Sequence, residues 1–530
     1  MRRLLNNLPL LTLLSSLFWS SYAYAGAAGG AASGTACANG ATTLVGCAIG
    51  TTDTTYTITG DITPADGVRG IAFTDSADNN NLTLNGDIST RSAIGISLSS
   101  ADFNTINMTG NITTAEGRFN YGILLFESNN NKTTITGNIT TLKVSSYGLI
   151  LSSSGSNTTN VIGNITTSKD GSDGIFTFNS DSNTTNITGN ITTAGLGSEA
   201  VFFNNSNRNT TTITGNILTT GQQAPGIYLV GDNDFNTVTM QGDIATTNIS
   251  SSAISIGGGG DDNTISMEGN ITTSLRGSDG IQISNSSSRN VITLTGNIDI
   301  DGIDGQSIGI AIQGESDSNI INMTGNIATG GAAGFGYSIF ESDSNTTNIT
   351  GNITTAGDNA YGIIYYANGI DRAKSSNNTT TITGNISTTG AQAPGIYHFN
   401  ADSNTTTMTG NISTTGQRSS GVFLLNSDAN TLVINGNIST SATDGNSEAI
   451  LISNSDSNTI TLSGKVQSLG GDQAISILAN SDANTFNIQS GSTFLGDFEN
   501  IGTNTVITNQ GVMDGIENTG SIATFNNAQT

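Results

Sequence analysis

Aliphatic residues recur along the chain at short, regular intervals and alternate with polar or small residues. The segments Ala253-Ile254-Ser255-Ile256 and Gly280-Ile281-Gln282-Ile283 show the pattern clearly. Strict alternation of this kind is typical of a β-strand with one buried face. After the first 25 residues no stretch keeps the 3.6-residue period of a helix. The pattern therefore predicts an all-β protein made of many short strands.

The strand signals repeat around a landmark of the form Thr/Asn-Gly-Asn/Asp-Ile, whose glycines lie mostly 26 or 27 residues apart. An asparagine stands six positions before the glycine, and aliphatic residues or Met stand two positions before and after it. In one unit these residues are Asn183, Ile187, Gly189 and Ile191, and Asn209 and Asn345 are the equivalent asparagines of two other units. Internal repeats of this length are the signature of a solenoid.

A single unit cannot bury its isoleucine face, whereas units stacked in register form one continuous core. We therefore predict a right-handed parallel β-helix of about 18 coils, with the handedness taken from the general preference of parallel sheets. The asparagine column predicts a ladder of side-chain amides along the stack, because identical residues stacked in register can bond from coil to coil. Asparagine also tolerates the left-handed conformation that turns require.

The repeats divide the chain into four parts. We expect a signal peptide at residues 1–25, an N-terminal cap at 26–50, β-helix repeats at 51–491, and C-terminal coils at 492–530. The last part contains units such as Ile507-Thr508-Asn509-Gln510-Gly511, which recur every nine residues. Three nine-residue edges would make one coil of 27 residues, and the final edge is cut mid-unit.

The first residues indicate export. A basic start at Arg2 and Arg3 precedes an apolar run, and Ala23-Tyr24-Ala25 matches the small-x-small pattern of a cleavage site. An exported chain meets an oxidising compartment, which favours a Cys37–Cys47 disulfide over two free thiols. The formal net charge of −25 argues against binding to nucleic acid or to anionic lipid headgroups.

Catalytic chemistry has little support in the sequence. His398 is the only histidine, so no Ser-His-Asp or Cys-His set can be assembled around further histidines. The basic residues are scattered, and most carboxylates fall in turn segments such as Ser-Asp-Ser-Asn. We expect no enzyme activity, no catalytic residue, no metal site and no cofactor.

One set of apolar residues suggests a binding surface. In the second strand of each unit, the position between two buried aliphatic residues should face solvent, yet it is often aromatic. Two apolar stripes on one face would mark a binding or assembly surface, whereas long loops folded over them would make them part of the core. The candidate binding residues are Phe176, Phe202, Tyr228, Phe340, Tyr397 and Phe423.

The Ile-Thr-Gly-Asn-Ile-Thr-Thr units and the closing Ile-Thr-Asn-Gln-Gly and Ile-Glu-Asn-Thr-Gly units resemble the passenger repeats of autotransporters, the proteins of type V secretion. The resemblance covers about residues 51–530. It implies export by a Gram-negative bacterium, display or release at the outer membrane, and an outer-membrane β-barrel translocator as partner. The family usually carries that barrel at the C-terminus, and no barrel pattern follows the repeats here.

Three functions follow as hypotheses. The first is a cell-surface or released adhesin or structural rod, whose partners are host glycans, host proteins or sister molecules, with a role in virulence. The second is a β-helical enzyme acting on polysaccharides. The third is an ice- or surface-binding solenoid, since threonines recur in register in the Ile-Thr-Thr segments, although the irregular coil lengths count against a lattice match.

Overall fold

The computed structural model describes residues 35–38, 40, 45–302, 305–368, 375–443, 446–470 and 473–528. Within these ranges the regular structure is β-strand throughout, arranged as three parallel sheets of a β-solenoid with about 17 turns. The predicted fold class is confirmed, and the turn count is close to the 18 predicted. Among the described residues no helix is long and apolar enough to cross a membrane. The predicted signal peptide at 1–25 lies outside the described residues.

From Ile71–Phe73 to Thr493–Leu495 each turn contributes one strand to each sheet, in the order sheet I, sheet II, sheet III, and the turns at the two ends lack a sheet III strand. Sheet I consists of Thr35–Ala36, Cys47–Ile49, Ile71–Phe73, Ile96–Ser99, Ile123–Phe126, Leu149–Ser152, Ile175–Phe178, Val201–Asn204, Ile227–Val230, Ile254–Gly257, Ile281–Ile283, Ile310–Gln313, Tyr337–Phe340, Ile363–Tyr366, Ile396–Phe399, Val422–Leu425, Ile450–Ser453, Ile475–Ile477, Phe498–Asn500 and Ile516–Asn518.

Sheets II and III are built in the same way from the two strands that flank the glycine landmark. Sheet II consists of Thr55–Thr59, Asn81–Asn85, Thr105–Thr109, Lys132–Thr136, Thr158–Ile162, Thr184–Thr188, Thr210–Thr214, Thr237–Gln241, Thr264–Glu268, Val291–Thr295, Ile320–Thr324, Thr346–Thr350, Thr379–Thr383, Thr405–Thr409, Thr431–Asn435, Thr459–Ser463, Thr485–Ile488, Thr505–Asn509 and Ile522–Asn527. Sheet III consists of Ile88–Thr90, Ile112–Thr114, Ile139–Thr141, Ile165–Thr167, Ile191–Thr193, Ile217–Thr219, Ile244–Thr246, Ile271–Thr273, Ile298–Ile300, Ile327–Thr329, Ile353–Thr355, Ile386–Thr388, Ile412–Thr414, Ile438–Thr440, Lys465–Ser468 and Thr493–Leu495.

The core is one continuous column of aliphatic side chains inside the three sheets. Ile187 in sheet II pairs in register with Val161 and Ile213 of the neighbouring turns, and Ile191 in sheet III pairs with Ile165 and Ile217. All of these side chains are buried within a single cluster that runs through the stack. Stacking therefore buries the isoleucine face that one isolated turn would expose to water.

The asparagine column forms a buried ladder at the corner between sheets I and II. Asn209 Oδ1 accepts bonds from the Asn183 backbone N–H at 2.9 Å and from Asn183 Nδ2 at 3.1 Å. Asn209 Nδ2 in turn donates to the Ser180 carbonyl at 2.8 Å and to Asn236 Oδ1 at 3.1 Å. Asn345 makes the equivalent bonds to Asn378. The ladder satisfies buried backbone groups at a corner where no strand pairing is available.

The left-handed residue of this corner is not the ladder asparagine but the residue before it. The residues before three ladder asparagines have positive φ values, at 59° for Ser182, 56° for Arg208 and 58° for Ser344. The asparagines themselves do not have a positive φ, as seen at Asn183, Asn209 and Asn345. The expectation that asparagine supplies the left-handed turn therefore fails at this column. The asparagine side chain forms the amide ladder, and the residue before it adopts the left-handed conformation that turns the backbone.

The landmark glycines form the corner between sheets II and III, where successive turns approach closely. Gly189 has φ 148°, and a Cβ at this position would lie 2.2 Å from the carbonyl oxygen of Gly163 in the preceding turn. Asn190, the next residue, donates its backbone N–H to Asn164 Oδ1 at 2.8 Å in an exposed second ladder. Only glycine fits this contact, which explains the strictness of the landmark.

The two ends of the solenoid differ from its middle. Cys37, directly after the first strand of sheet I, is joined by a disulfide to Cys47, the first residue of the second strand. Near the other end Phe498 pairs with Ile516, so this turn uses two nine-residue units and not the three that the sequence suggested. The turn is shorter because sheet III is reduced there to one bridge, between Thr493 and Val512.

Candidate functional site

The outer face of sheet I carries the residues predicted to bind a partner. Two apolar clusters lie there, outside the main core. We call the first the N-terminal aromatic cluster; it consists of Ile94, Tyr121, Leu124, Tyr147, Ile150, Phe176 and Phe202, with Phe126, Phe178, Tyr228 and Val230 packed against it. We call the second the C-terminal aromatic cluster; it consists of Ile364, Tyr366 and Tyr397, with Phe335, Phe340, Tyr361, Phe399, Phe423 and Leu425 packed against it.

In the N-terminal aromatic cluster the rings stack along the solenoid axis. The Phe176 and Phe202 ring centroids are 5.0 Å apart with planes 17° from parallel, and the Phe202 and Tyr228 centroids are 5.3 Å apart with planes 9° from parallel. Phe176 and Phe202 are only 4% and 5% exposed, whereas Tyr228 is half-buried. Because each ring covers the faces of its neighbours, the surface left to solvent consists mainly of ring edges.

The C-terminal aromatic cluster repeats this arrangement with different residues. The Tyr397 and Phe423 rings stack with centroids 5.0 Å apart, and the Phe340 and Tyr366 rings stack with centroids 4.4 Å apart. Phe340 and Phe423 are half-buried, and Tyr397 is 4% exposed. The structure thus groups the six predicted residues into two sets of three, one in each cluster.

The structure corrects the position of Phe340. Ala311 pairs with Ser338, so Ser338 occupies the place between the two inward residues of its strand, and Phe340 lies in the next outward row. The inward place before Ser338 is held by Tyr337, which is fully buried and shares a hydrogen bond with the Thr347 hydroxyl at 2.7 Å. Tyr337 stands where most other turns have an inward aliphatic residue. In the sequence the alternation therefore suggests a start two residues later, which assigns to Phe340 the place that Ser338 occupies.

Flanking aromatics that the sequence analysis did not single out cover the predicted residues. Tyr147 lies 5.1 Å from Phe176, and Tyr361 lies 5.1 Å from Tyr397, measured between ring centroids. Both flanking tyrosines precede the glycine that opens their sheet I strand. A column of this kind can be read from an alignment of the repeats. Stacking and these flanking rings therefore contribute to the burial of the predicted residues.

Buried carboxyl groups continue the flanking row. Asp173 and Glu199 lie in successive turns, and the Glu199 backbone N–H donates to Asp173 Oδ1 at 3.0 Å. Burial raises the pKa of both side chains, and for Asp173 the neighbouring Glu199 raises it further. Ionisation of both carboxyl groups would place two like charges side by side in a buried site, which costs free energy. The pair therefore keeps a proton at pH values where isolated acids are charged.

A polar interval separates the two clusters. Asp279 Oδ1 accepts the Ile308 backbone N–H at 2.8 Å, and its Oδ2 accepts Gln282 Nε2 at 3.1 Å. Ser255 donates to Gln282 Oε1 at 3.3 Å. Burial raises the pKa of Asp279 to about 7, against the lowering effect of these hydrogen bonds. The outer face of sheet I is therefore apolar, then polar, then apolar along the solenoid.

The single histidine of the chain lies inside the solenoid. His398 points into the solenoid core, is fully buried and lies 4.5 Å from the Tyr365 ring, and burial lowers its pKa to about 4. Across the described residues no group of three or more His, Cys, Asp or Glu side chains could hold a metal ion. His398 is accordingly a core residue that stays neutral at pH 7.

Comparison with known proteins adds no relative: no protein-family model, no curated protein and no solved structure matches the chain.

Proposed function

We propose that this chain is an extracellular adhesive rod that makes contact through the two aromatic clusters on sheet I. The observation that carries the proposal is the presence of two apolar clusters outside the solenoid core, on one face of a chain with net charge −25. Contiguous apolar patches on the surface of a soluble protein usually mark an interaction site, and here half-buried rings such as Tyr228 and Phe423 lie at the outer side of the clusters.

The ring geometry favours one kind of partner. A sugar ring stacks on an open aromatic face, and within the stacks neighbouring rings take up most of those faces. Ring edges and half-buried side chains such as Tyr228 and Phe423 suit a flat apolar protein surface, including the same face of a second copy. Among the partners expected from the sequence, a protein or a sister molecule thus fits better than a glycan.

Export and surface display are part of the proposal. The signal-like residues 1–25 and the Cys37–Cys47 disulfide support export, because disulfides persist in oxidising compartments. The repeat resemblance supports an autotransporter passenger, for which an outer-membrane β-barrel is the translocation partner. A parallel solenoid suits such a role, because each turn contacts only its neighbours and can fold as it emerges.

Adhesion of beads coated with the full chain, to one another and to host cells, tests the proposal. Tyr228→Ser together with Phe423→Ser removes one half-buried ring from each cluster, and we expect adhesion to fall several-fold. Gln282→Ser changes the polar interval of the same row and should leave adhesion intact. Circular dichroism checks that the fold survives in each variant.

Two outcomes would contradict the proposed contact. Equal adhesion of the wild type and the Tyr228/Phe423 variant, with both folded, would exclude the clusters as the contact surface. Adhesion that is abolished by free oligosaccharide would replace the protein partner with a glycan. Bead clustering in the absence of cells isolates the contribution of self-association.

A further inference from the structure

The outer face of sheet II is a regular array of threonines. From Thr55–Thr59 to Thr459–Ser463, each strand of this sheet points its first, third and fifth residues outward, as its alternating burial shows. In two adjacent turns these residues are Thr379, Thr381, Thr383 and Thr405, Thr407, Thr409, which pair one to one. Threonine is the commonest residue in all three outward columns from Thr55–Thr59 to Thr459–Ser463, and asparagine and serine fill many of the other places.

The array stays in register where the turns differ in length. Thr346 pairs with Thr379, although that turn spans 33 residues, and Val291 pairs with Ile320 across a turn of 29 residues. The additional residues lie between sheets III and I or between sheets I and II. The irregular coil lengths, which argued against a lattice at the level of sequence, therefore do not disturb this face.

Charge is nearly excluded from the array. Between Thr55–Thr59 and Thr459–Ser463, Lys132 and Glu268 are the charged residues at outward positions of sheet II. This is a strong bias in a chain that carries 40 acidic residues. An uncharged face fits an uncharged partner, because a charged side chain pressed against such a surface would lose hydration without a counter-charge.

The spacing of the array is fixed by the backbone along both axes. Stacked strands place equivalent hydroxyls about 4.8 Å apart along the solenoid, and alternate residues of one strand place them about 6.6 Å apart across it. In the middle column Asn186 Nδ2 donates to Asn160 Oδ1 at 2.9 Å, and Asn348 Nδ2 donates to Asn322 Oδ1 at 2.9 Å. These bonds hold the asparagine side chains in the same orientation from turn to turn.

We propose that the outer face of sheet II binds the surface of ice. Each threonine offers a hydroxyl and a methyl group, and the two repeat distances are of the same order as the oxygen repeats on faces of hexagonal ice. An extended two-dimensional array does not enclose a small molecule, which requires a concave site. It matches instead a periodic, uncharged, hydrogen-bonding solid. This surface is distinct from the aromatic clusters of sheet I.

Inhibition of ice recrystallisation by the full chain tests the proposal, with thermal hysteresis as a second readout. Thr381→Lys with Thr407→Lys places two bulky charges in the middle of the array. Ser387→Lys with Ser413→Lys makes the same change in the same two turns, at the outward positions of sheet III. We expect the threonine variant to need at least about tenfold more protein for the same inhibition, and the serine variant to match the wild type.

Several results would overturn the proposal. Wild-type protein that neither inhibits recrystallisation nor partitions into growing ice would exclude it, as would equal loss in both lysine variants. Retention on crystalline cellulose or chitin without activity on ice would assign the face to a crystalline polysaccharide. Circular dichroism at low temperature confirms that each variant remains folded.

Discussion

Removal of one asparagine from the buried ladder should weaken the solenoid locally by a large amount. Asn209→Ala deletes four hydrogen bonds: two that Asn183 donates to its Oδ1, and two that its Nδ2 donates to Ser180 and Asn236. At about 1 kcal/mol net for each bond, the loss is about 4 kcal/mol. The Asn183 N–H and the Ser180 carbonyl are also left buried without these partners, so the true cost should not be smaller.

The matched control lies seven residues further along the same turn. Asn216 Oδ1 accepts the Asp243 backbone N–H at 2.8 Å in the exposed ladder. Water can replace this acceptor after Asn216→Ala, so we expect a cost of about 0.5 kcal/mol. Both variants remove the same side chain, and they differ in whether solvent can reach the orphaned partner.

Native-state hydrogen exchange is the suitable assay, because a long repeat array need not unfold in one step. A loss of about 4 kcal/mol corresponds to exchange about a thousand times faster for amides of the turns around Asn209, such as Asn183 N–H. Amides many turns away should be little affected, since each turn contacts only its neighbours. Equal effects of Asn209→Ala and Asn216→Ala, or an effect spread evenly over the chain, would refute this reasoning.

Three further predictions concern single residues elsewhere in the solenoid. Gly189→Ala should cost at least about 2 kcal/mol, because its Cβ would meet the backbone of the preceding turn, whereas Gly197→Ala, at φ 56° and in open space, should cost about 1 kcal/mol. Native-state hydrogen exchange of the neighbouring turns compares the two variants. Burial lowers the pKa of His398 to about 4, so between this pH and about 6.5 only the unfolded chain binds the proton. The free energy of unfolding of the wild type should therefore fall by up to about 3 kcal/mol as the pH falls from about 6.5 to about 4. Thermal melts should show a smaller fall for His398→Leu. For Asp279 the pH dependence has the opposite sign, because burial raises the pKa of its carboxyl group to about 7. Its contribution to the free energy of unfolding is complete below about pH 3.8, and up to about 4 kcal/mol is lost as the pH rises through about 7. In melts between pH 4 and 8, Asp279→Asn should remove this loss of stability. A pH dependence shared unchanged by wild type and variant would exclude either residue as its source.

The repeat columns could be read from the sequence because each has one dominant physical cause. Ile187 and Ile191 recur because stacked turns need an unbroken core, and Asn209 recurs because its amide bonds reach from one turn to the next. Gly189 recurs because no Cβ fits against the turn before it. These requirements repeat in every turn, so they leave a periodic trace even in a single sequence.

Features that occur in only one or two turns could not be read in the same way. Phe340 was assigned to the wrong row because an inward tyrosine, Tyr337, is satisfied by the Thr347 hydroxyl, a contact with no periodic signal. The burial of Phe176 depends on the stacking of its neighbours, which alternation alone does not reveal. The 18-residue spacing between Phe498 and Ile516 reflects the reduction of sheet III near Val512.

Small-angle X-ray scattering of the full chain gives the most direct test of the continuous stack. About 17 turns at about 4.8 Å for each turn predict a rod-like particle about 80 Å long, with a uniform cross-section in the scattering curve. A compact globular particle of similar mass, or the scattering of a flexible coil, would contradict the stack and with it the proposed surfaces on sheets I and II.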